Sequence, residues 1–226
     1  MNYSDSTLII PTLNEEGNIS KIIISVKKLC AGINVIVADD GSKDKTQEII
    51  KNLSDVTLLD RTKKVHGLTA SVIDSIKIAK TKYFVIIDAD FQHPPKKVKE
   101  IVDKLRRGNG IVVAVRKSAK GWPVTRKIIS LGAKTLARTR LILKMPFIKD
   151  PVSGFFGGNT KLCNEIIKKK YSKFEIKGYK ILFDLLKYCP NKTKIGYVYY
   201  DFGLRLKGQS KIGKKQILSL LRSIFK

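Results

Sequence analysis

Short apolar runs alternate with helical patterns along the first half of the chain, and no other feature limits the fold so strongly. Leu8-Ile9-Ile10 before Pro11, Val35-Ile36-Val37-Ala38, Val56 to Leu59, Tyr83-Phe84-Val85-Ile86-Ile87 and Ile111 to Val115 read as strands. Ile19, Ile22, Ile23, Val26 and Leu29 recur at helical spacing after Asn14, a capping residue type. A second helix, capped by Asp44, carries Ile49, Ile50 and Leu53. A third, from about Gly67, carries Leu68, Val72, Ile73, Ile76 and Ala79. Pro94-Pro95 suits the first turn of a fourth, with Val98, Ile101, Val102 and Leu105 as its stripe. This order predicts an α/β fold, a mostly parallel sheet with helices on both faces. The nearly continuous apolar strands fit burial on both sides.

In such sheets ligands bind outside the carboxyl ends of the strands. Thr12-Leu13-Asn14-Glu15, Asp39-Asp40-Gly41-Ser42 and Asp88-Ala89-Asp90 all follow strands, so they should converge on one crevice. Two carboxylates at the end of a buried strand, Asp88 and Asp90, are costly unless something positive lies nearby. A divalent cation with oxygen ligands meets that need. Mg²⁺ commonly takes one or two carboxylates plus substrate phosphates, and Gln92 could add a carbonyl. A capped strand-to-helix turn is the bland alternative. The chain has neither G-x-x-x-x-G-K-[ST] nor G-x-G-x-x-G, which disfavours a P-loop NTPase or a conventional dinucleotide enzyme. No Ser/His/Asp or Cys/His arrangement is legible. His93 either approaches the metal or packs against the turn, and His66 reads as a loop residue.

Charge is unevenly spread. The formal net charge is +26, yet residues 1–95 hold 12 basic and 12 acidic side chains, whereas residues 96–226 hold 33 and 7. Two surfaces with different tasks are implied, the basic one facing nucleic acid, an anionic membrane or a phosphorylated substrate. Hydrophobic residues, at 43%, suffice for a core. No apolar run reaches the ~18 residues of a spanning helix, and the opening MNYSDSTLIIPTLNEE lacks a signal-peptide pattern. Cys30, Cys163 and Cys189 are scattered and odd in number, so a disulfide scaffold or zinc site is not expected and a reducing cytoplasm is. From Lys211 onwards, Ile217, Leu218, Leu220, Leu221, Ile224 and Phe225 oppose Lys211, Lys215, Arg222 and Lys226, the pattern of a helix lying in an anionic membrane interface. Residues 126–145 repeat it, with Ile129, Ala133, Leu136 and Leu143 opposite Lys127, Lys134 and Arg138. Packing of these helices on the sheet is the alternative.

The motifs in order resemble family 2 glycosyltransferases of the GT-A fold, most closely the dolichyl-phosphate (polyprenyl-phosphate) mannose synthases. The resemblance rests on residues 8–15, Val37-Ala38-Asp39-Asp40-Gly41-Ser42 and Asp88-Ala89-Asp90-Phe91-Gln92-His93-Pro94-Pro95. It continues through Arg116, Gly121-Trp122, Arg126-Lys127-Ile128-Ile129-Ser130 and Asp150-Pro151-Val152-Ser153-Gly154-Phe155-Phe156. It ends with Lys177-Gly178-Tyr179-Lys180 and Phe202-x-x-Arg205-x-x-Gly208-x-Ser210-Lys211. The resemblance implies that Pro11, Leu13, Glu15, Asp39, Asp40, Asp88, Ala89 and Lys177 bind the donor nucleotide. It implies that Asp88, Asp90 and Gln92 surround Mg²⁺ or Mn²⁺, and that Arg116, Arg126, Ser130, Arg205 and Lys211 bind the acceptor phosphate. Asp90, Arg116 and Arg126 are the implied catalytic set. A catalytic domain over 1–211 and a membrane-surface helix over 212–226 follow, with no transmembrane domain.

The implied activity is inverting transfer of a hexose, mannose from GDP-mannose, to dolichyl or polyprenyl phosphate. A phosphate acceptor is already anionic at neutral pH, so positioning by arginine can replace a general base. A UDP-sugar-dependent glucosyltransferase is the alternative donor reading. A basic nucleic-acid-binding protein is the alternative of another class, but no reading module or exposed aromatic platform supports it. The partners this resemblance implies are a nucleotide sugar, the lipid phosphate, the inner face of an anionic membrane and a membrane-protein partner, without nucleic acid.

Overall fold

A computed structural model describes residues 1–119, 124–145, 147–203 and 214–225. All five expected strands form: β1 (Ser6–Thr12), β2 (Asn34–Asp39), β3 (Thr57–Asp60), β4 (Tyr83–Ile86) and β5 (Ile111–Ala119). Between them lie α1 (Ile19–Leu29), α2 (Thr46–Lys51), α3 (Leu68–Ile78) and α4 (Lys96–Arg106). Then come α5 (Val124–Leu141), β6 (Phe156–Asn159), α6 (Thr160–Lys170), α7 (Ile181–Tyr188), β7 (Ile195–Phe202) and α8 (Lys214–Phe225).

The strands form one sheet in the order β3-β2-β1-β4-β6-β5-β7. All neighbours are parallel except β6, which runs antiparallel to β4 and β5. Alternate strand residues point to opposite faces. Leu8, Ile10, Val35, Val37 and Val85 pack with α1 and α4 on one side. Ile9, Phe84, Ile86, Val113 and Phe156 pack with α3, α5, α6 and α7 on the other. β6 is too short and glycine-rich to read as a strand, and its glycines have a steric cause. A Cβ on Gly157 would lie 2.6 Å from Ile101 Cγ2 and 2.8 Å from the Phe84 carbonyl oxygen. Helix α4 presses directly on the strand there.

Three sequence expectations need correction. Asn14 does not cap α1, which starts after Asn18. Asn14 sits at φ 52° in a turn, where its side chain accepts from the Lys43 amide. Leu29 is exposed at the solvent end of its helix. Lys134 does not lie on an outer face of α5; it turns inward to a carboxylate described below. In α5 the inward residues are Ala137 and Leu141, with Ala133 and Leu136 beside them, whereas Ile129 and Leu143 are exposed.

Helix α8 is clipped to the body through its last turn. The Lys187 ammonium donates to the Ser223 carbonyl at 2.7 Å, and the Arg140 guanidinium to that of Ile224 at 3.2 Å. The Ser223 hydroxyl donates to Asp184 at 2.6 Å. These cations satisfy carbonyls that a helix C-terminus leaves open. Ser219, Ser223 and Ile224 face inward, while Leu218 and Phe225 are exposed. Among the described residues no helix is long and apolar enough to cross a membrane.

Candidate active site

One cluster of the candidate site is built from the ends of β1 and β2. Thr12 and Asp39 are neighbours across the ladder, and the Asp40 amide donates to the Thr12 carbonyl at 2.9 Å. Pro11, Leu13 and Glu15 line this edge, part-buried. The Glu15 amide donates to Thr46 Oγ1 at 2.8 Å, and its carboxylate accepts from Asn18 Nδ2 at 3.0 Å. Asp39 is buried and accepts from the Ser42 amide and hydroxyl and from Gln47 Nε2, so it holds the turn. Asp40 accepts from the Gly67 amide at 2.8 Å and from Arg61 Nε at 3.3 Å, with His66 Nδ1 3.4 Å away.

Arg61 was not singled out by the sequence, yet it organises this side. Its guanidinium is buried and also engages Asp74 and the Ser71 hydroxyl. A buried charge persists only with such partners. Lys177 is exposed beside the same loop. Its backbone abuts Gly67, where a Cβ would come within 3.1 Å of Lys177 Cα. Gly67 has φ 145°, a second reason for glycine at that contact.

The centre of the crevice is the segment after β4. Asp88 is partly exposed, while Ala89, Asp90, Gln92 and His93 are buried. Phe91 turns the chain at φ 61°. The Gln92 amide donates to Asp90 Oδ1 at 3.1 Å, which fixes that carboxylate. Gln92 Nε2 donates to the Gly203 carbonyl at 3.3 Å, and the Gly203 amide to the Gln92 carbonyl at 3.0 Å. These bonds tie the acidic segment to the end of β7. His93 stacks on Phe155 at 4.9 Å between ring centroids, with Tyr200 and Phe202 edge-on. Burial pushes its imidazole down to about 3, so it is neutral at ordinary pH. Its Nδ1 accepts from the Asp88 amide at 3.3 Å. Packing against the turn is therefore the role its geometry gives it.

The donor set Asp88, Asp90 and Gln92 is all oxygen, which fits a hard divalent cation. Among the described residues no group of three His, Cys, Asp or Glu side chains could hold a metal by itself. An ion held by two carboxylates therefore has to complete its shell with substrate or water oxygens.

A second cluster lies towards the end of β5. Arg116 Nε donates to Asp150 Oδ2 at 3.1 Å and a second guanidinium nitrogen to Oδ1 at 3.4 Å. Lys134 from α5 reaches the same carboxylate at 3.2 Å. Burial alone would raise the Asp150 carboxyl, but Arg116 and then Lys134 outweigh it and hold it below the usual carboxylate range. Arg116 also lies over the Phe202 ring at 5.7 Å. Asp150 is almost wholly buried and sits at φ 41°. Its segment is anchored to β5 by the Ser153 hydroxyl, which donates to the Ala114 carbonyl at 2.7 Å. Asn14, Phe91 and Asp150, three non-glycine residues at positive φ, thus lie one in each cluster. Such strain persists where surrounding contacts impose it. Ser130 is part-buried in α5. Arg126 belongs to α5, but its side chain lies outside the described residues, as do Arg205 and Lys211 entirely.

Beside this end, Ile128, Leu131, Ile142, Leu143 and Phe147 expose apolar surface. Helix α8 packs against α5 and adds Leu218 and Phe225.

Residues 7–167 match the family model described as glycosyl transferase family 2. A protein of Pyrococcus furiosus named dolichol-phosphate mannosyltransferase is 36% identical over 232 residues, covering 97% of this chain and 62% of its own length. The chain thus spans less than two thirds of that relative. A Saccharomyces cerevisiae protein of the same name is 30% identical, over 96% of this chain and 85% of that protein. Among solved structures, glucosyl-3-phosphoglycerate synthase of Mycobacterium tuberculosis with Mn²⁺, UDP and glucosyl-3-phosphoglycerate has a TM-score of 0.66 at 21% identity, covering 97% of this chain and 79% of that one. The same enzyme with Mg²⁺ and UDP also gives 0.66. At this identity the likeness bears on the fold, which is the GT-A type expected from the motifs.

Proposed function

The chain belongs to glycosyl transferase family 2, and within that family we propose that it moves mannose from GDP-mannose onto dolichyl or polyprenyl phosphate, with inversion and with a divalent metal. The observation that carries the proposal is two unlike clusters that follow strands of the same sheet. An acidic oxygen set, Asp88 and Asp90, follows β4, and Arg116 on β5 is braced by Asp150. The relatives named dolichol-phosphate mannosyltransferase support the same acceptor class.

In this mechanism Pro11, Leu13, Glu15, Asp39 and Asp40 hold the nucleoside, and Ala89 and Lys177 flank its diphosphate. Mg²⁺ or Mn²⁺ held by Asp88, Asp90 and Gln92 would supply charge neutralisation for the diphosphate leaving group. Arg116, with Arg126 and Ser130 from α5, holds the acceptor phosphate and directs one oxygen to the anomeric carbon. Arg205 and Lys211 complete the cationic side. The phosphate arrives ionised, so no side chain has to remove a proton from the nucleophile. Guanidinium suits this task because its planar fork matches phosphate oxygens. In-line attack turns an α-linked donor into a β-linked product.

The lipid acceptor requires a membrane nearby. The exposed apolar residues of α5 and its following turn, with α8 and the basic residues around them, form the face we assign to the cytoplasmic membrane surface. On this reading 1–211 is the catalytic domain and 212–226 the membrane-surface helix, and a membrane-protein partner would add to the attachment.

A panel of radiolabelled nucleotide sugars with a short polyprenyl phosphate and Mg²⁺ or Mn²⁺ tests donor, acceptor and metal together. GDP-mannose should give a lipid-linked product that chelation abolishes. Asp90→Ala should lower turnover at least about a hundredfold, by the size of a lost electrostatic stabiliser. Transfer that survives both treatments would refute the metal assignment.

A further inference from the structure

Asp184 lies in the first turn of α7 and is buried, and its two carboxylate oxygens serve different parts of the chain. Oδ2 accepts from the Glu175 amide at 3.2 Å, at the start of the loop that leads into α7. Oδ1 accepts from the Ser223 hydroxyl of α8 at 2.6 Å, with the Lys187 ammonium 3.7 Å away. One carboxylate thus joins this loop to the terminal helix. A second contact joins them one helical turn earlier. Ser219 precedes Ser223 by four residues, so the two share a face of α8, and both are buried. A Cβ on Gly178 would come within 2.8 Å of the Ser219 hydroxyl oxygen.

The other side of the loop rests on the cluster at the ends of β1 and β2. The Thr69 amide donates to the Gly178 carbonyl at 3.0 Å. A Cβ on Gly67 would lie 3.0 Å from the Ile176 carbonyl oxygen, and the Gly67 amide donates to Asp40 Oδ2 at 2.8 Å. Residues 175–178 are therefore held between α8 and the segment that carries Gly67. They also turn on themselves, the Gly178 amide donating to the Glu175 carbonyl at 2.8 Å, so a shift at one side has little slack in which to be absorbed. Helix α8 is the element able to shift. Among its described side chains Ile224 is the one fully buried apolar group, and the bonds that clip it are polar. Water replaces such bonds on release, so each contributes little net. Elements docked in this way belong to the low-stability end of a structure.

We propose that Asp184 is a positioning residue for the nucleotide cluster. By taking the Glu175 amide and the Ser223 hydroxyl together, it makes the docking of α8 and the order of residues 175–178 one equilibrium, and that loop in turn sets Gly67 and Asp40. The proposal rests on the donor reading above for its ligand, a nucleoside diphosphate, but the coupling itself is readable without any ligand. Linkage requires the effect to run both ways: docked α8 favours the nucleotide, and bound nucleotide holds α8 down by the same factor.

The test compares wild type with Ser223→Ala, which removes the bond from α8 to Asp184, and with Arg140→Met, which loosens the end of α8 while leaving Asp184 and Ser223 in place. Amide hydrogen exchange is followed in the full chain. GDP affinity with Mn²⁺ is measured by calorimetry, well below the melting temperature of each variant. In both variants the amides of Gly67, Thr69, Glu175 and Gly178 should exchange roughly tenfold faster or more, the scale of a lost hydrogen bond to a charged group. GDP should bind at least about fivefold more weakly to both. In wild type GDP should slow exchange along α8. A helix that serves stability alone would lower the melting temperature and leave loop exchange and GDP affinity as they were. Unchanged exchange at residues 67–69 and 175–178, while α8 itself exchanges faster, overturns the proposal. So does a GDP affinity that is unchanged in both variants, or weakened in Ser223→Ala alone. If the loop amides exchange faster in both variants and wild type binds neither GDP nor UDP, the coupling through Asp184 holds and the donor reading fails.

Discussion

Asp150 shows how one side chain gathers two cations that are distant in the chain. It is buried, backbone-strained at φ 41°, and engages Arg116 and Lys134 at once. Its carboxyl is held below the ordinary range in the folded state. A carboxyl lowered in this way stabilises the fold above the unfolded-state value, near 4, and that stabilisation is lost as pH falls through the folded value. Asp150→Asn should therefore lower unfolding stability at pH 7 by about 3 kcal/mol, the scale for breaking a buried ion pair. The gap to wild type should close below about pH 4. Urea unfolding across pH checks this, and a gap of constant size would show that the charge is not responsible. The acidic pair Asp88 and Asp90 was legible in the sequence because both residues sit in one short run after a strand. Arg61 and Lys134 were not, because each acts on a residue distant in the chain. Arg61 meets Asp40 from the next strand, and Lys134 meets Asp150 from a helix whose pattern suggested an outer face. Periodicity reports which side of a helix is apolar, not whether a long ammonium side chain reaches back over it.

The elements divide in the same way. Strands β1 to β5 and helices α1 to α4 were readable, because contiguous Val and Ile runs and regular stripes are local signals. β6 was hidden by its two glycines, which only the packing of α4 and α6 explains. Gly157→Ala should cost about 2 kcal/mol or more, because the added methyl meets the Phe84 carbonyl oxygen and cannot displace it. Gly132→Ala is the matched control, since a Cβ there meets nothing within 4 Å. In the middle of α5 it should gain roughly 0.5–1 kcal/mol. Thermal melting of the two variants decides the matter, and equal small effects would contradict the packing of β6 against α4. The terminal helix was anticipated as an amphipathic element, but its polar clip through Asp184, Lys187, Arg140 and Ser223 was not. Ser219 and Ser223 lie on the inward side because hydrogen bonds, not apolar contact alone, dock it.

At the scale of the molecule, the division of charge acquires a spatial meaning. The neutral first 95 residues supply β1 to β4 and the acidic crevice. The basic remainder supplies Arg116, Lys134 and the helices α5 and α8. Neutralising Lys211, Lys215 and Arg222 together should weaken binding to anionic liposomes roughly a hundredfold, at about 1 kcal/mol for each charge near the surface. GDP binding should be unaffected. Sedimentation with vesicles of defined anionic content measures it, and unchanged liposome binding would remove the membrane face from the account.

In the proposed function the acceptor phosphate is ionised before it arrives and is positioned by Arg116 rather than deprotonated by a base. The most direct measurement is single-turnover transfer of labelled mannose to a short polyprenyl phosphate and to the corresponding polyprenol, side by side. A product is expected on the phosphate and none on the alcohol, and the former should be lost in Arg116→Met. Comparable transfer to the alcohol, or transfer to the phosphate that is indifferent to Arg116, would contradict it.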